Sequence, residues 1–543
     1  MGRAIMVQGT ASGVGKSVLV TALCRLFAQE GYRVAPFKAQ NMSLNAAVTP
    51  DGREVAWVQY IQALAAGVAP SADMNPVLLK PEGESRCQVV VHGRVVGSFP
   101  AQEYPARIRE MAQEAISRSL GRLLSAFDVV VIEGAGSPAE VNLRDRDLAN
   151  MAVAAMAGAP VLLVADIDRG GALAALVGTM SLLTPEERAR VAGVVINKFR
   201  GDAGLLAPAV PFLEERLGVP VVGVLPYIPG LALGEEDSQT QPSLYLPRDG
   251  VVQVDVAVVA LPHLSNATDF EALRGEPGVR VRFVQPGERI GPADLLVLPG
   301  TKTTIADLAA LREEGMADQI RAARTLGIPI VGICGGFQML GRSLHDPRGV
   351  EGRAGRVEGL GLLPVETVFL EGKRTVQVEA EVITDRGPFS GLRGTRVRGY
   401  EIHVGHSWGE GQPVFRTLGW VSRDEGVISP DGLVWGTYLH GLFENAPLRK
   451  ALIAWAASRK GLRLDPLRGR EPAVLEESFE RLAEAVRRHL DVAWLFRVVG
   501  VEPPHPAPSP QRGEGKRGGP PRQEGGGKGG LSPAGRRTAV RGP

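Results

Sequence analysis

Six short runs of almost unbroken apolar residues punctuate the first 235 residues: Ala4–Gln8, Arg33–Phe37, Asp128–Ile132, Pro160–Ala165, Val191–Ile196 and Val219–Leu225. Strands this apolar belong to a parallel sheet covered on both faces. The segments between them have helical spacing. Val18, Leu19, Ala22, Leu23, Leu26 and Phe27 line one face, and Gly31 is placed to end that helix. Such alternation predicts a mostly parallel α/β sheet with helices on both sides. The residues that follow the strands are informative: Gly9, Lys38, Glu133, Asp166 and Asn197 come after successive runs. Ligands bind at the carboxyl ends of strands in open α/β sheets, so these positions predict one functional rim.

A second α/β pattern begins near residue 251, with strands expected at Val254–Leu261, Val279–Val284, Leu295–Leu298 and Ile328–Ile333. After about residue 350 the chain becomes Gly-punctuated and alternating, as antiparallel strands would be, and helical spacing returns over 471–499. The expected division is therefore a nucleotide-binding domain over 1–235, a polar linker over 236–250, a second domain with C-terminal helices over 251–500, and a disordered tail over 501–543. That tail is rich in Pro and Gly, and residues 504–543 carry eight Lys and Arg against Glu514 and Glu524. It has too little apolar surface to offset the entropy of ordering.

Lys and Arg total 61 against 59 Asp and Glu, a balance that argues against a broad nucleic-acid surface. Three cysteines, Cys24, Cys87 and Cys334, do not make a disulfide framework and fit a reducing cytoplasm. No secretory leader is expected from MGRAIMVQGT. The most apolar stretch, Met151–Ala165, is shorter than the ~20 residues a membrane span needs. No membrane partner is expected, and the sequence does not fix an oligomeric state.

The segment Gly9-Thr10-Ala11-Ser12-Gly13-Val14-Gly15-Lys16-Ser17 lies between a strand and a helix. Its glycines let backbone N–H groups turn toward phosphate oxygens at a helix N-terminus. Lys16 supplies a point charge, and the Ser17 hydroxyl reaches a Mg²⁺ ion. The expected ATP contacts are Gly9, Thr10, Ser12, Gly13, Gly15, Lys16 and Ser17, with Lys38 over the transferred phosphoryl and Asn197 at the adenine. Ser17 and Glu133 are the expected oxygen ligands of Mg²⁺, with Asp51 a further candidate. ATP and Mg²⁺ act here as a substrate complex, and no tightly bound prosthetic group is expected.

A second site centres on Gly332-Ile333-Cys334-Gly335-Gly336-Phe337. A strand runs into Cys334 and a helix leaves it, with Gly on both sides where a side chain would clash. This is the pattern of a nucleophile held on a sharp turn. His440, which ends a candidate strand about 100 residues later, is the expected base, with His403 and His406 as weaker candidates. Gly300, Thr301 and Gly335 are the expected oxyanion-side positions.

Longer segments carry a family resemblance. They are Pro36–Asn45 (PFKAQNMSLN), Glu133–Leu143 (EGAGSPAEVNL), Val164–Gly171 (VADIDRGG), Asn197–Asp202 (NKFRGD) and Leu298–Lys302 (LPGTK). With them, the first half resembles the dethiobiotin synthetase-like P-loop ATPases and the second a class I glutamine amidotransferase domain. The whole, over about residues 3–495, resembles the cobyric acid synthases. That resemblance implies ATP-driven amidation of the b, d, e and g carboxylates of adenosylcobyrinic acid a,c-diamide, a corrinoid, with ammonia drawn from glutamine. Many class I domains place a Glu two residues after the histidine. Here that residue is Leu442, which leaves the orienting group open; Glu444 is close but wrongly spaced. Two other readings stay in view: a cobyrinic acid a,c-diamide synthase, and a P-loop switch ATPase with an inert amidotransferase-like domain. The signature Lys of switch ATPases is replaced by Ala11, which weighs against the latter.

Overall fold

The computed structural model describes residues 2–502, apart from 83–85, 101–105, 232, 235–251, 353, 420 and 464–473. The expected linker over 236–250 lies outside the described residues, as does nearly all of the expected tail. None of the helices among the described residues is long and apolar enough to cross a membrane.

The first sheet has six parallel strands: β1 (Arg3–Gly9), β2 (Val34–Phe37), β3 (Val129–Glu133), β4 (Val161–Asp166), β5 (Val191–Phe199) and β6 (Val221–Pro226). Their order is β6-β5-β4-β1-β3-β2. Each coincides, within a few residues at its ends, with an expected apolar run. β3 and β4 are buried at every position, which accounts for their unbroken apolar character. Helix α1 (Lys16–Gln29) lays Leu19, Leu23, Leu26 and Phe27 onto this sheet. Helix α2 (Trp57–Ala65) packs beside α1 near the β2 edge. A smaller sheet in the order Gln40–Met42, Val77–Glu82, Arg86–Val91, Arg94–Pro100 extends this half. Sequence periodicity does not anticipate it, because its last strand is largely exposed and its first spans three residues.

The second sheet has nine strands: β7 (Val254–Val259), β8 (Val279–Val284), β9 (Leu295–Leu298), β10 (Ile330–Ile333), β11 (Arg374–Val382), β12 (Arg396–His403), β13 (Gln412–Leu418), β14 (Asp424–Ile428) and β15 (Val434–Thr437). The order is β8-β7-β9-β10-β15-β14-β13-β11-β12. Its first part is parallel and the strands after residue 370 pair antiparallel, except that β15 runs parallel to β10. The short helix α3 (Gly335–Leu340) follows β10 directly.

The closing helices, α4 (Val474–His489) and α5 (Val492–Val499), return to the first half. The sequence grouping of 251–500 placed them with the second domain. In the fold their apolar faces enter the core formed by α1 and the six-stranded sheet: Phe479, Leu482, Val486, Leu495 and Phe496 join Ile5, Val7, Leu23 and Phe27. The rings of Phe27 and Phe496 lie 4.9 Å apart. Arg487 pairs with Glu30 at 2.9 Å, and Arg25 pairs with Glu476 and Glu480. Amphipathic spacing identifies the apolar face of such a helix but not the surface that it covers.

Candidate active sites

The phosphate loop follows β1 and opens α1. Gly13 and Gly15 have φ of 72° and 96°, the left-handed region that favours glycine. A Cβ on Gly15 would lie 2.2 Å from Asn197 Nδ2, so only glycine fits there. Asn197, at the end of β5, donates through Nδ2 to the Val14 carbonyl at 2.9 Å. Its visible contact therefore braces the loop. It also borders a cavity of about 100 Å³ lined by Gly15, Leu19, Pro226 and Tyr227. Thr10 N donates to Val164 O, tying the loop to β4; Gly9 ends β1, and Ser12 is exposed at the tip.

Lys16 is buried, and its Nζ donates to the carbonyls of Ala11 (3.1 Å) and Gly136 (3.0 Å). Glu133, at the carboxyl end of β3, is fully buried and gathers the remaining groups. Ser17 Oγ donates to its Oε1 at 2.8 Å, Lys38 Nζ to Oε1 at 2.9 Å, and Gln62 Nε2 to Oε2 at 2.6 Å. Ser17 and Glu133 thus present adjacent hard oxygens beside the phosphate loop, a donor set that fits Mg²⁺ carried on phosphate oxygens and water. Asp51 is not part of this set: it accepts from Thr49 in the turn 49–53. Gln62 was not anticipated. It belongs to a chain of buried amides in which Asn41 donates to Gln59 (3.0 Å), Gln59 to Gln62 (3.4 Å) and Gln62 to Glu133.

Cys334 stands between β10 and α3 with φ 52° and ψ −108°. A non-glycine residue held in such a conformation costs about 1–3 kcal/mol and persists only where its surroundings impose it. Those surroundings are tight. A Cβ on Gly336 would lie 2.0 Å from Leu298 O, one on Gly332 2.6 Å from Leu340 Cδ1, and one on Gly335 2.6 Å from Thr301 Cγ2. Gly336 N donates to Pro299 O at 3.0 Å, which holds the turn against the Gly300-Thr301 loop. A Cβ on Gly300 would be 3.0 Å from His440 Cε1. The expected oxyanion positions and the two catalytic candidates therefore share one pocket.

His440 follows β15 and is fully buried. Its Nδ1 bonds Asp269 Oδ2 at 2.7 Å, and the other oxygen of Asp269 accepts Gly441 N at 2.8 Å. With Nδ1–H donating, Nε2 is the nitrogen left for chemistry. It has no hydrogen-bond partner of standard geometry, while the Cys334 thiol interacts with the same imidazole. The Tyr400 ring stacks on the imidazole at 5.4 Å, and Tyr400 and His440 exchange backbone hydrogen bonds. Burial pushes the imidazole pKa down. The charge and hydrogen bond of Asp269, then the interaction with Cys334, outweigh burial and raise it to about 10.

The group that orients the histidine is therefore Asp269, left open in the sequence reading. Leu442 is buried, and Glu444 makes no hydrogen bond to the imidazole. Asp269 lies 171 residues before His440, on the turn Ala267–Phe270 that follows β7. The signal that could have found it is the rim argument applied to the second sheet, since this loop leaves the carboxyl end of a strand. His403 stacks on Tyr438 at 3.8 Å and bonds Gly405 O, and His406 is exposed; neither serves Cys334.

The Asp269→Asn variant tests this arrangement. A folded-state pKa raised to about 10 keeps the imidazolium up to that pH, and the stability it contributes is complete below about pH 6.5 and is lost as pH rises from there through about 10. Without the carboxylate, the imidazolium is lost nearer neutrality. The alkaline limb of glutamine hydrolysis should move to lower pH, with kcat reduced about 10²–10⁴-fold. An unchanged alkaline limb would exclude Asp269 as the source of the shift.

Two family models cover most of the chain. The CobQ/CobB/MinD/ParA nucleotide binding domain matches residues 5–240, and the CobB/CobQ-like glutamine amidotransferase domain matches residues 255–448. A cobyric acid synthase of Pelotomaculum thermopropionicum is 50% identical over 526 residues, spanning 95% of this chain and 100% of the relative. That of Moorella thermoacetica is 49% identical, spanning 93% and 98%, and that of Sorangium cellulosum 49%, spanning 92% and 99%. With a phosphate loop in one half, a buried Cys-His-Asp array in the other, and full-length relatives near half identity, the chain belongs to the cobyric acid synthase family.

Proposed function

We propose that this protein amidates the b, d, e and g carboxylates of adenosylcobyrinic acid a,c-diamide in the cytoplasm, consuming one ATP and one glutamine for each amide. The observation that carries the reading is the pairing, in one chain, of Cys334, His440 and Asp269 with a phosphate loop that holds Lys16 and whose Ser17 meets Lys38 on the Glu133 carboxylate.

In the glutaminase half, the Cys334 sulfur attacks the side-chain amide carbon of glutamine. Backbone N–H groups of the Gly300-Thr301 and Gly335 segment face the oxyanion. His440 Nε2 gives its proton to the departing ammonia, leaving a thioester. The neutral imidazole then takes a proton from water, and the resulting hydroxide releases glutamate. Asp269 holds the ring and favours the imidazolium.

In the ATPase half, a corrinoid carboxylate attacks the γ-phosphorus, giving an acyl phosphate and ADP, and ammonia displaces phosphate from it. Lys16 and the loop amides hold phosphate oxygens, and Lys38 neutralises charge on the transferred group. Ser17 and Glu133 would hold Mg²⁺, which would supply charge neutralisation to the phosphate oxygens.

The direct test is mass spectrometry of the product formed from the diamide, ATP and glutamine. Four carboxyl-to-amide conversions are expected. No new amide on the diamide, with unamidated cobyrinic acid converted to its a,c-diamide under the same conditions, would refute the assignment.

A further inference from the structure

Asn45 ends the segment Pro36–Asn45, and neither reaction assigns it a part. It faces two ways. Its backbone carbonyl accepts Trp57 N at 3.1 Å, the first N–H of α2, whose own N-cap residue Ala56 offers no side-chain cap. Its side-chain Oδ1 accepts Ala267 N at 3.1 Å, the first N–H of the Ala267–Phe270 turn in the other half. Asn266 answers in kind, accepting Ala46 N through Oδ1 at 3.0 Å. Both asparagines are buried, and Asn266 has φ 55°. The two side chains thus form a reciprocal clasp between the halves.

The clasp joins elements that both carry site residues. On one side α2 presents Gln62 to the Glu133 carboxylate. On the other, three residues after Asn266, Asp269 holds His440. Trp57, Tyr60 and Leu64 of α2 line a cavity of about 680 Å³ together with Gln377, Tyr400 and Gly441 of the amidotransferase half. A shift of α2 reaches the second half through its N-terminal end, which the clasp holds and where Ala56 also packs with Tyr400 and Ile402. Other ties join the halves too: Lys373 pairs with Glu54, Gln377 Nε2 donates to Val48 O, Lys302 beside Thr301 pairs with Glu82, and Ala46, Val48 and Ala56 pack with Tyr400 and Ile402; the clasp is the tie that joins the start of α2 to the turn carrying Asp269.

We propose that Asn45 and Asn266 are positioning residues that make glutamine hydrolysis respond to the ATP site. When Glu133 turns to the Mg²⁺–ATP complex, its bond with Gln62 changes, α2 shifts, and the clasp carries that shift to Asp269 and so to the His440 imidazole. Hydrolysis is then fast only when an acceptor can be activated. This rests on the two-site reading above.

The test uses the full-length chain and measures glutamate release with and without Mg²⁺–ATP and the diamide, together with amide formed from glutamine and from ammonium chloride. Wild type should show nucleotide-dependent glutaminase stimulation within the range of about 5–150-fold common for coupled sites. Asn266→Gly keeps the backbone conformation but removes one acceptor. It should bring that ratio close to one and raise glutamate released per amide formed, with ammonium-driven amidation retained. Asn45→Ala should do the same, so the proposal does not depend on one variant folding. Asn45→Asp, which keeps the acceptor oxygen, should restore the ratio, and Gln377→Ala should leave it at the wild-type value.

Wild-type stimulation in both asparagine-loss variants, or no stimulation in wild type, would overturn the coupling while leaving the two activities in place. Equal loss of glutamine- and ammonium-driven amidation would reduce the clasp to a structural role. A wild-type protein that neither hydrolyses glutamine nor amidates with ammonium would instead refute the two-site reading.

Discussion

Replacing Cys334 with alanine should reduce glutamine-dependent amidation by about 10⁴–10⁶-fold, the range seen when a covalent nucleophile is lost. Amidation driven by a high concentration of ammonium salt should continue near the wild-type rate. The separation follows from the architecture. The sulfur lies between β10 and α3 of the second sheet, and among the described residues it meets Ile402 O and the His440 imidazole. Alanine adds no bulk and meets the same backbone conformation, so the turn that Gly332, Gly335 and Gly336 permit should persist. Glutamate release and amide formation, measured in parallel with each nitrogen source, check this result. Normal glutamine use by the variant would remove Cys334 from the mechanism.

Lys16→Ala should have the complementary effect. Loss of the phosphate-loop charge should reduce amidation from both glutamine and ammonium by at least about 10²–10³-fold, the usual consequence of removing one preorganised donor from a transition state. Glutamine should still be hydrolysed at the nucleotide-free rate, because the Cys334, His440 and Asp269 array is built from the other sheet. Glu133→Gln should weaken amidation in the same two assays, since Ser17, Lys38 and Gln62 all converge on that carboxylate. A Lys16→Ala protein that still amidated with ammonium would mean that the phosphate loop does not serve acceptor activation.

The sequence reveals those parts whose partners are near in the chain or whose burial is complete. β1, β3 and β4 are legible because both faces are covered, so their residues are apolar without a break. The phosphate loop and the Cys334 turn are legible because each is one continuous strand–turn–helix passage with glycine where the backbone demands it. Asp269 escaped because its role exists only in three dimensions. Its own segment, Asn266-Ala267-Thr268-Asp269-Phe270, reads as an ordinary polar loop, and its partner is 171 residues away. Gln62 escaped for a similar reason: nothing in the local helical pattern distinguishes an amide that grips Glu133 from one facing solvent. The destination of α4 and α5 was equally hidden, since periodicity describes a stripe and not its counterpart.

The return of those last helices bears on how the protein is made. At about 5–20 residues per second, α5 leaves the ribosome roughly half a minute to a minute and a half after α1. Through that interval the first domain lacks the Phe479, Leu482, Val486 and Phe496 side chains that complete its interior, so an oily face stays uncovered until synthesis is nearly finished. The amidotransferase half is thus an insertion within a domain whose two ends meet late. A chain truncated before residue 474 should be a ward of chaperones rather than a working ATPase.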